Sequence, residues 1–158
     1  MLRGARIEIG VISDTHGLLR ESARDALRDC STIIHAGDIG KPAVLEGLRQ
    51  IAPLVVVRGN VDMGWAHDLA DTDDVTIAGR RIYVLHNLRD LAFDPAAQAI
   101  DVVISGHSHV PRVKRRGRVL FLNPGSAGPR RFRLPIAVAR LSFTNGRAPV
   151  ARIVQLEA

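Results

Sequence analysis

The sequence has little of several residue types, and each shortage excludes a class of protein. Only one of its 158 residues is a cysteine, Cys30, so no disulfide bond can form within the chain. A single cysteine suits a reducing compartment, and we expect a cytoplasmic protein. No segment approaches the ~20 uninterrupted apolar residues that a membrane span requires, and the first residues run straight into a predicted strand. We therefore expect neither a membrane span nor a signal peptide.

Aromatic residues and lysines are also scarce. Aromatic residues make up 4% of the chain, and Lys41 and Lys114 are the only lysines beside the arginines that bring the net charge to +6. Eight of the basic residues fall between Arg112 and Arg133, which could serve nucleic acid, a phosphorylated substrate or only a solvated hairpin. The solvated hairpin is favoured, because no aromatic residues interleave with the charges for base stacking and no helix-turn-helix pattern is present.

Apolar residues, by contrast, are plentiful enough for a core. The hydrophobic content is 46%, and the length matches one ordinary domain with a two- or three-layer core. No repeat, low-complexity tract or linker interrupts the chain. We predict a single domain over residues 1–158.

The first part of the chain predicts alternating strands and helices. Apolar runs that end at polar residues or glycine predict strands at 6–13, 32–36 and 54–57. Helical spacing predicts one helix over 19–29 and another that starts at Pro42. This order implies parallel strands with right-handed crossovers, so the loops that follow the strands gather at one edge of the sheet.

The rest of the chain predicts shorter strands. A polar loop over 61–74 precedes a hairpin, and a short helix around 95–100 leads into a buried strand. The predicted strands are 75–78, 81–85, 102–105, 112–116, 118–122, 136–143 and 150–156. Together these segments predict an α/β fold in which two central sheets have helices outside them.

Residues that can bind metals follow several predicted strands. Seven oxygen or nitrogen donors stand at these strand ends: Asp14, His16, Asp38, Asn60, His86, His107 and His109. Each one alone could be a cap, a turn former or a satisfied polar residue. Together they are more donors than one four-coordinate ion needs, whereas two ions that share a carboxylate would use them all. The pattern therefore favours a dinuclear metal site.

The order of these motifs resembles a known family. The motifs are Asp14-Thr15-His16, Gly37-Asp38, Gly59-Asn60, His86 and Gly106-His107-Ser108-His109. In that order they resemble the motif series of the calcineurin-like metallophosphoesterase superfamily. The short length and the later Asn123-Pro124-Gly125-Ser126 resemble its small prokaryotic YfcE-like phosphodiesterase branch. The resemblance implies the metallo-dependent phosphatase fold, a four-layer α-β-β-α sandwich of two mixed sheets flanked by helices.

The resemblance also implies two divalent ions and a role for each ligand. Mn²⁺ is favoured, with Ni²⁺, Co²⁺, Fe²⁺ and Zn²⁺ as alternatives. The first ion would bind Asp14, His16 and His109, and the second would bind Asn60, His86 and His107, with Asp38 bridging them. The implied activity is a phosphoesterase, most simply a phosphodiesterase, in which a hydroxide shared by the metals attacks phosphorus. Asp38, Asn60 and His107 are the implied catalytic residues.

Two positions depart from the wider superfamily. Many members carry a histidine directly after the Gly-Asn pair, suited to protonating the leaving group, where this chain has Val61. Loss of a general acid slows hydrolysis by roughly 10²–10⁴-fold for a poor leaving group and matters little for an activated one. The preference between monoesters and diesters therefore stays open. Asn87 follows His86 where related sequences often continue Gly-His, and the sequence assigns no effect to this change.

Candidate substrate contacts are Asn123, Ser126, Arg130 and Arg131. The first two would shape the turn around Pro124-Gly125 or contact a phosphate oxygen. The two arginines would neutralise a second phosphate of the substrate or form a solvated edge.

Two histidines fall outside the candidate ligand set. We expect His35 to pack under the site as a core residue, since the ligand count is already met. We expect His67 to be an exposed loop histidine.

Two other functions stay open beside the phosphoesterase. One is a non-catalytic metal-binding scaffold of the same fold, as a eukaryotic retromer subunit of this superfamily is, and Val61 is the residue that motivates it. The other is a nuclease that uses the arginine-rich segment 112–133. As partners we predict a small phosphorylated substrate in preference to nucleic acid, and a homodimer or higher oligomer is left open.

Overall fold

The structure is a computed structural model and describes residues 5–156. The predictions that concern residues 1–4, including the absence of a signal peptide, lie outside the described residues. The helices are α1 (Glu21–Leu27) and α2 (Pro42–Arg49). The strands are β1 (Arg6–Ile12), β2 (Thr32–His35), β3 (Leu54–Val56), β4 (Thr72–Ile77), β5 (Arg80–Leu85), β6 (Val102–Ile104), β7 (Arg112–Arg116), β8 (Val119–Asn123), β9 (Ala137–Thr144) and β10 (Val150–Gln155).

The strands form two mixed five-stranded sheets. The first sheet has the order β10-β9-β1-β2-β3, and the second has the order β4-β5-β6-β8-β7. Strands β1, β2 and β3 run parallel, and so do β5, β6 and β8. Each sheet therefore collects the carboxyl ends of its parallel strands at one edge, which confirms the two mixed sheets and the parallel strands predicted for the first part of the chain.

Alternation along the strands separates two apolar layers. Ile34 points between the sheets and packs with Ile82 and Val102, whereas its neighbour Ile33 points the other way and packs beneath the helices. Leu27 of α1 and Leu48 of α2 are fully buried in this second layer. Full burial of such a side chain stabilises the fold by roughly 1.5–3 kcal/mol. Apolar packing on both faces therefore stabilises the first sheet, from which the loops project.

The outer face of the second sheet differs from the predicted helical layer. Segment 88–100 covers it with turns and one 3₁₀ turn, Leu88–Asp90, and the predicted helix around 95–100 is wrong. The hydrogen bonds there run from Gln98 and Ile100 back to Pro95, which closes turns rather than a helix. So short a segment gains too few helical hydrogen bonds to offset the cost of nucleation. No helix among the described residues is long and apolar enough to cross a membrane.

The second sheet also begins earlier than predicted. Strand β4 starts at Thr72, inside the segment predicted as a loop, and its exposed and half-buried residues alternate. Its polar residues Asp73 and Asp74 obscure the strand signal in the sequence. An edge strand tolerates them because one face and one edge meet water.

Candidate metal centre

Six of the seven predicted ligands meet in two adjoining groups at the strand ends. The buried group consists of Asp14, His16 and His109, and the open group consists of Asp38, His86 and His107. Within each group one donor atom from every residue lies within 4.8 Å of the others. These groups match the division that the family resemblance implied, although assignment of an ion to each group remains a proposal.

The buried group directs unpartnered polar atoms toward one point. Asp14 is fully buried, and its Oδ1 atom has no hydrogen-bond partner. The Nε2 atom of His109 lies 3.4 Å from that oxygen and 3.4 Å from Nε2 of His16. Burying a carboxylate oxygen without a partner costs free energy, and a cation between these atoms would satisfy it.

The open group lies against the buried group through Asp38. Its Oδ2 atom is 3.3 Å from Nε2 of His86 and 3.8 Å from Nε2 of His16. Nδ1 of His86 lies 2.7 Å from the carbonyl oxygen of Ala36, so Nδ1 donates and Nε2 keeps its lone pair in the neutral ring. This Nε2 atom is buried and has no hydrogen-bond partner. The arrangement is the one that a metal-binding histidine needs.

The ionisation of these side chains favours a cation. Burial works to raise the pKa of Asp38, but the nearby His86 ring and the hydrogen bond from the Val61 amide lower it overall. Burial works to lower the pKa of His86, but the Asp38 contact and the charge of Asp14 raise it overall. Burial lowers the pKa of His16 despite the nearby carboxylates. Charged carboxylates facing imidazole nitrogens therefore fit divalent metal ions.

Access to solvent distinguishes the remaining donors. His107 is exposed, and its ring meets the ring of His86 edge-on with 5.2 Å between the centroids. Asn60 is also exposed and lines a cleft together with His86 and His107. Its amide is therefore available on the solvent side of the open group.

The backbone is strained where the ligands lie. Nine non-glycine residues among those described have a positive φ, and five of them are candidate ligands. The five are Asp14, His16, Asp38, His107 and His109, with φ between +46° and +72°. Left-handed backbone costs roughly 1–3 kcal/mol for each non-glycine residue and accumulates at functional sites. The fold thus holds these side chains in positions that the local sequence would not choose.

Two glycines allow the loops to come this close. A Cβ atom at Gly59 would lie 2.1 Å from Oδ1 of Asp38, and one at Gly106 would lie 2.0 Å from Oγ of Ser13. Neither contact is sterically allowed. Both positions require glycine so that the loops after β3 and β6 can reach the loops after β2 and β1.

His35 supports the site from below, as predicted. It is fully buried, accepts a hydrogen bond from the Gly37 amide at Nδ1 and lies 3.0 Å from Oγ1 of Thr15 at Nε2. Thr15 in turn donates to the carbonyl oxygen of Ile39. This series of hydrogen bonds requires the neutral form of the His35 ring, and burial lowers the pKa of His35 to about 4. The ring therefore joins the loops that carry Asp14 and Asp38.

Asp62 is a supporting residue that the sequence did not reveal. It is buried, and its carboxylate accepts hydrogen bonds from the amides of Ile39, Gly40 and Gly59 at 2.8–3.0 Å. It therefore ties the loop of Asp38 to the loop of Asn60. Its place two residues after Asn60 is the only sequence signal for this role.

The predicted substrate contacts occupy different settings. Oδ1 of Asn123 accepts a hydrogen bond from the Gly125 amide and Oγ of Ser126 accepts one from the Gly128 amide, so both shape the turn as predicted. Nδ2 of Asn123 also donates to the carbonyl of Gly106 and to Ser108, and Oγ of Ser126 donates to the carbonyl of Asp14. Their contact with substrate stays a prediction.

The predicted arginine contacts are not equivalent. Arg131 is close enough for its charge to act on His16, whereas no interaction links Arg130 to the candidate ligands among residues 5–156. His67 is exposed and lies 3.0 Å from Asp68, as expected of a loop histidine. Substrate binding by either arginine stays a prediction.

Comparison with known proteins decides the family. The model of the calcineurin-like phosphoesterase superfamily domain matches residues 7–146. The chain belongs to this superfamily. It is 35% identical over 133 residues to a probable metallophosphoesterase of Methanothermobacter thermautotrophicus, covering 75% of this chain and 76% of that protein.

Other members show how far the likeness extends. This phosphoesterase-family chain is 33% identical over 91 residues to the phosphodiesterase YfcE of Escherichia coli K12, covering 52% of this chain and 50% of YfcE. The solved structure of wild-type Vps29 with Zn²⁺ from Entamoeba histolytica has a TM-score of 0.70 at 23% identity, covering 96% of this chain and 100% of Vps29. That likeness shows the fold alone. The family, its YfcE-like branch and the class of phosphoric-ester hydrolase predicted from the motifs are confirmed.

Proposed function

We propose that this chain is a phosphodiesterase that uses two divalent metal ions, with Mn²⁺ favoured. The observation that carries the proposal is the pair of adjoining donor groups, which direct buried and unpartnered atoms of Asp14 and His86 inward. Asp38 lies between the groups and would bridge the ions, while Asn60 would complete the open group. Oxygen and nitrogen donors also accept Ni²⁺, Co²⁺, Fe²⁺ or Zn²⁺, so availability in the cell would decide among them.

When bound, the ions would supply positive charge for a phosphate and a hydroxide nucleophile at neutral pH. The protein's own residues prepare the site for them. The amide of His107 donates to Oδ2 of Asp14, which leaves Oδ1 facing the site, and the amide of Val61 donates to Oδ1 of Asp38 in the same way. The carbonyl of Ala36 fixes the tautomer of His86. A backbone group thereby orients each of these three side chains, Asp14, Asp38 and His86.

The three residues Val61, Asp62 and His67 do not replace the missing general acid. Val61 is apolar, the carboxylate of Asp62 is occupied by amides, and His67 faces Asp68 and the carbonyl of Gly64. The site therefore favours a leaving group that departs without protonation.

The decisive experiment measures hydrolysis of bis(4-nitrophenyl) phosphate after removal of all metal with a chelator. Re-addition of Mn²⁺ is expected to restore the rate, with Ni²⁺, Co²⁺, Fe²⁺ and Zn²⁺ as comparisons. No turnover with any of these ions across neutral and alkaline pH would exclude the proposed activity. A screen of phosphorylated metabolites with the active metal form then identifies the natural substrate.

A non-catalytic scaffold is the second candidate, and Val61 is the observation in its favour. None of the seven donors is replaced, which argues against a scaffold that has lost its chemistry. Retained metal without hydrolysis of any phosphorylated compound would favour it.

A nuclease would differ only in substrate. Within segment 112–133, Arg115 donates to the carbonyl of Pro149 and Arg116 lies over the ring of Phe121, so part of this charge is engaged inside the protein. Steeply salt-dependent binding of oligonucleotides would favour the nuclease. We propose a small phosphorylated molecule as the substrate and the cytoplasm as the location, the latter because Cys30 is a buried free thiol. A homodimer or higher oligomer stays a prediction.

A further inference from the structure

Two clefts open on either side of His107. The first has a volume of about 570 Å³, and its walls include Asn87, Arg89, Arg112, Phe121 and Asn123. The second has a volume of about 340 Å³ and contains Asn60 and His86 of the candidate metal centre. A substrate whose phosphate lies at His107 can therefore extend into either cleft.

The charges of the two clefts are opposite. The first cleft is lined by Arg89 and Arg112 and by no acidic residue, and neither arginine side chain forms an ion pair or hydrogen bond within residues 5–156. In the second cleft Arg58 is held by Asp71 at 2.7 Å, and Asp90 adds a further negative charge. Away from the candidate metal centre, the protein's own charges thus attract an anionic part of the substrate to the first cleft rather than to the second. We call the first the arginine cleft.

Arg89 belongs to a short turn that is capped by the residue that follows His86. The side chain of Asn87 accepts a hydrogen bond from the Arg89 amide at 3.1 Å and caps the 3₁₀ turn Leu88–Asp90. Asparagine is one of the residues that favour such a cap. The departure at Asn87, which the sequence left without an effect, therefore stabilises the turn that carries Arg89, and Arg89 lines the same cleft as His107.

Arg112 is positioned by strand pairing. It stands directly opposite Asn123 in the antiparallel pair of β7 and β8, and opposed residues project from the same face of a sheet. Nδ2 of Asn123 reaches the carbonyl of Gly106 and the hydroxyl of Ser108, on either side of His107. The face that carries Arg112 is therefore the face that meets the metal centre.

We propose that the arginine cleft binds the leaving group and that this leaving group is itself a phosphate, so the substrate is a phosphoanhydride. The inference rests on the two-metal hydrolysis of the proposed function and extends its substrates from phosphodiesters to diphosphate diesters, in which the bond that breaks is the anhydride. It joins two independent observations, the unpaired guanidinium groups of Arg89 and Arg112 and the absence of a general acid at Val61. The apolar side chains of Leu88, Val110 and Phe121 in the same cleft accommodate a carbon substituent on the departing phosphate.

The chemistry of an anhydride fits this site. The oxygen of water bonds to the phosphorus at the metal centre, and the bond from that phosphorus to the bridging oxygen breaks. The electron pair of the broken bond goes to the departing phosphate, and the attacking water releases one proton to solvent. A phosphate leaves as an anion at neutral pH because its second pKa is about 6, so it needs no acid. Arg89 and Arg112 stabilise the charge that develops on it.

The test compares two substrates in the metal-loaded enzyme. P¹,P²-diphenyl diphosphate has a phosphate leaving group, whereas bis(4-nitrophenyl) phosphate has an activated phenolate and no second phosphate. The double variant Arg89→Ala/Arg112→Ala is expected to lose about 100-fold in kcat/KM for the diphosphate, and each single variant about 10-fold, because each loses one charge-assisted contact. The rate with bis(4-nitrophenyl) phosphate is expected to fall by a clearly smaller factor, because its phenolate leaving group offers the two guanidinium groups one charged oxygen and no phosphate.

Arg118→Ala is the matched control. It removes the same charge at the far end of the β7–β8 hairpin, roughly 17 Å away along the strand, and neither substrate is expected to be affected. Calorimetric binding of phenyl phosphate, the leaving group itself, is expected to weaken about 100-fold in the double variant and not in Arg118→Ala.

The outcomes separate this inference from the proposed function. Absence of hydrolysis of both compounds with every metal overturns the proposed function. Hydrolysis of bis(4-nitrophenyl) phosphate without hydrolysis of the diphosphate overturns only the anhydride inference. Equal losses on both substrates in the double variant, or unchanged binding of phenyl phosphate, also overturn it.

Discussion

The two donor groups of the candidate centre are made of similar residues in different surroundings. In the buried group Asp14 and His109 are almost completely enclosed and His16 is half-buried. In the open group His107 is exposed, and Asn60 meets solvent beside it. Water therefore screens charges in the first group poorly, whereas the second group is accessible to solvent and substrate.

The difference shows how one site can combine rigidly held ligands with access for the substrate. The buried group is enclosed by the loops after β1 and β6. Oδ2 of Asp14 accepts a hydrogen bond from the His107 amide, and the carbonyl oxygen of Asp14 accepts one from the Ser126 hydroxyl. The open group lies where the two clefts meet. We expect the buried group to hold its ion more tightly and the open group to present phosphate to the attacking oxygen.

The largest expected effect comes from removing the residue that joins the groups. Asp38→Asn keeps the size of the side chain but removes the negative charge between His16 and His86. Hydrolysis of bis(4-nitrophenyl) phosphate is expected to fall more than about 100-fold, since even partners of metal ligands cost 10–100-fold when changed. Asp68→Asn changes an exposed carboxylate of the same kind and is expected to keep the rate. Full activity in Asp38→Asn would show that the groups work independently.

The second prediction uses pH to weaken the support beneath both groups. The folded-state pKa of His35, about 4, lies below the ordinary value of 6.5, so the unfolded chain takes up a proton that the folded protein resists. The stabilising effect is complete above about pH 6.5 and is lost as the pH falls through 4, by about 3 kcal/mol. Denaturant unfolding of the metal-free protein between pH 7 and 4 measures it. His35→Gln should remove this component of the slope and exposed His67→Gln should retain it; equal slopes in all three proteins would contradict the assignment.

The third prediction separates the two groups by metal content. His109→Ala removes a ligand of the buried group, and His107→Ala removes one of the open group, although only one residue stands between them. Each variant is expected to lose one of the two proposed ions. The affinity of the altered group for its metal ion is expected to weaken about 10–100-fold. Elemental analysis and titration calorimetry measure both quantities. Loss of both ions in both variants would merge the groups into a single cooperative site.

The smallest expected effect concerns the support of the open group alone. Asp62→Asn presents an amide N–H₂ to backbone amides that now donate to a carboxylate, so the loop of Asn60 is expected to loosen. Affinity at the open group should fall about 10-fold while the buried group keeps its ion. The ratio of the two binding constants is the readout, because general destabilisation would shift both. Asp62→Glu, which restores the acceptor, should recover part of the loss.

Much of the site could be read from the chain, because it stands at the ends of predicted strands. Asp14, Asp38 and His107 follow apolar runs, and parallel strands bring such ends to one edge. The division into two groups could be inferred only from the family resemblance. The turns of segment 88–100 and the role of Asp62 could not be predicted, because both depend on contacts between distant residues rather than on a local pattern.

The sequence by itself determined the donors, their order and the family, because motif identity and strand punctuation are local properties of the chain. Tertiary structure alone decided which donor became buried, which unpaired arginines line the cleft beside His107, and what Asn87 does. Those outcomes depend on how two sheets pack and on which loops glycine allows to touch. Exposure and electrostatic environment are properties of that packing, and they are what distinguish two groups built from the same kinds of residues.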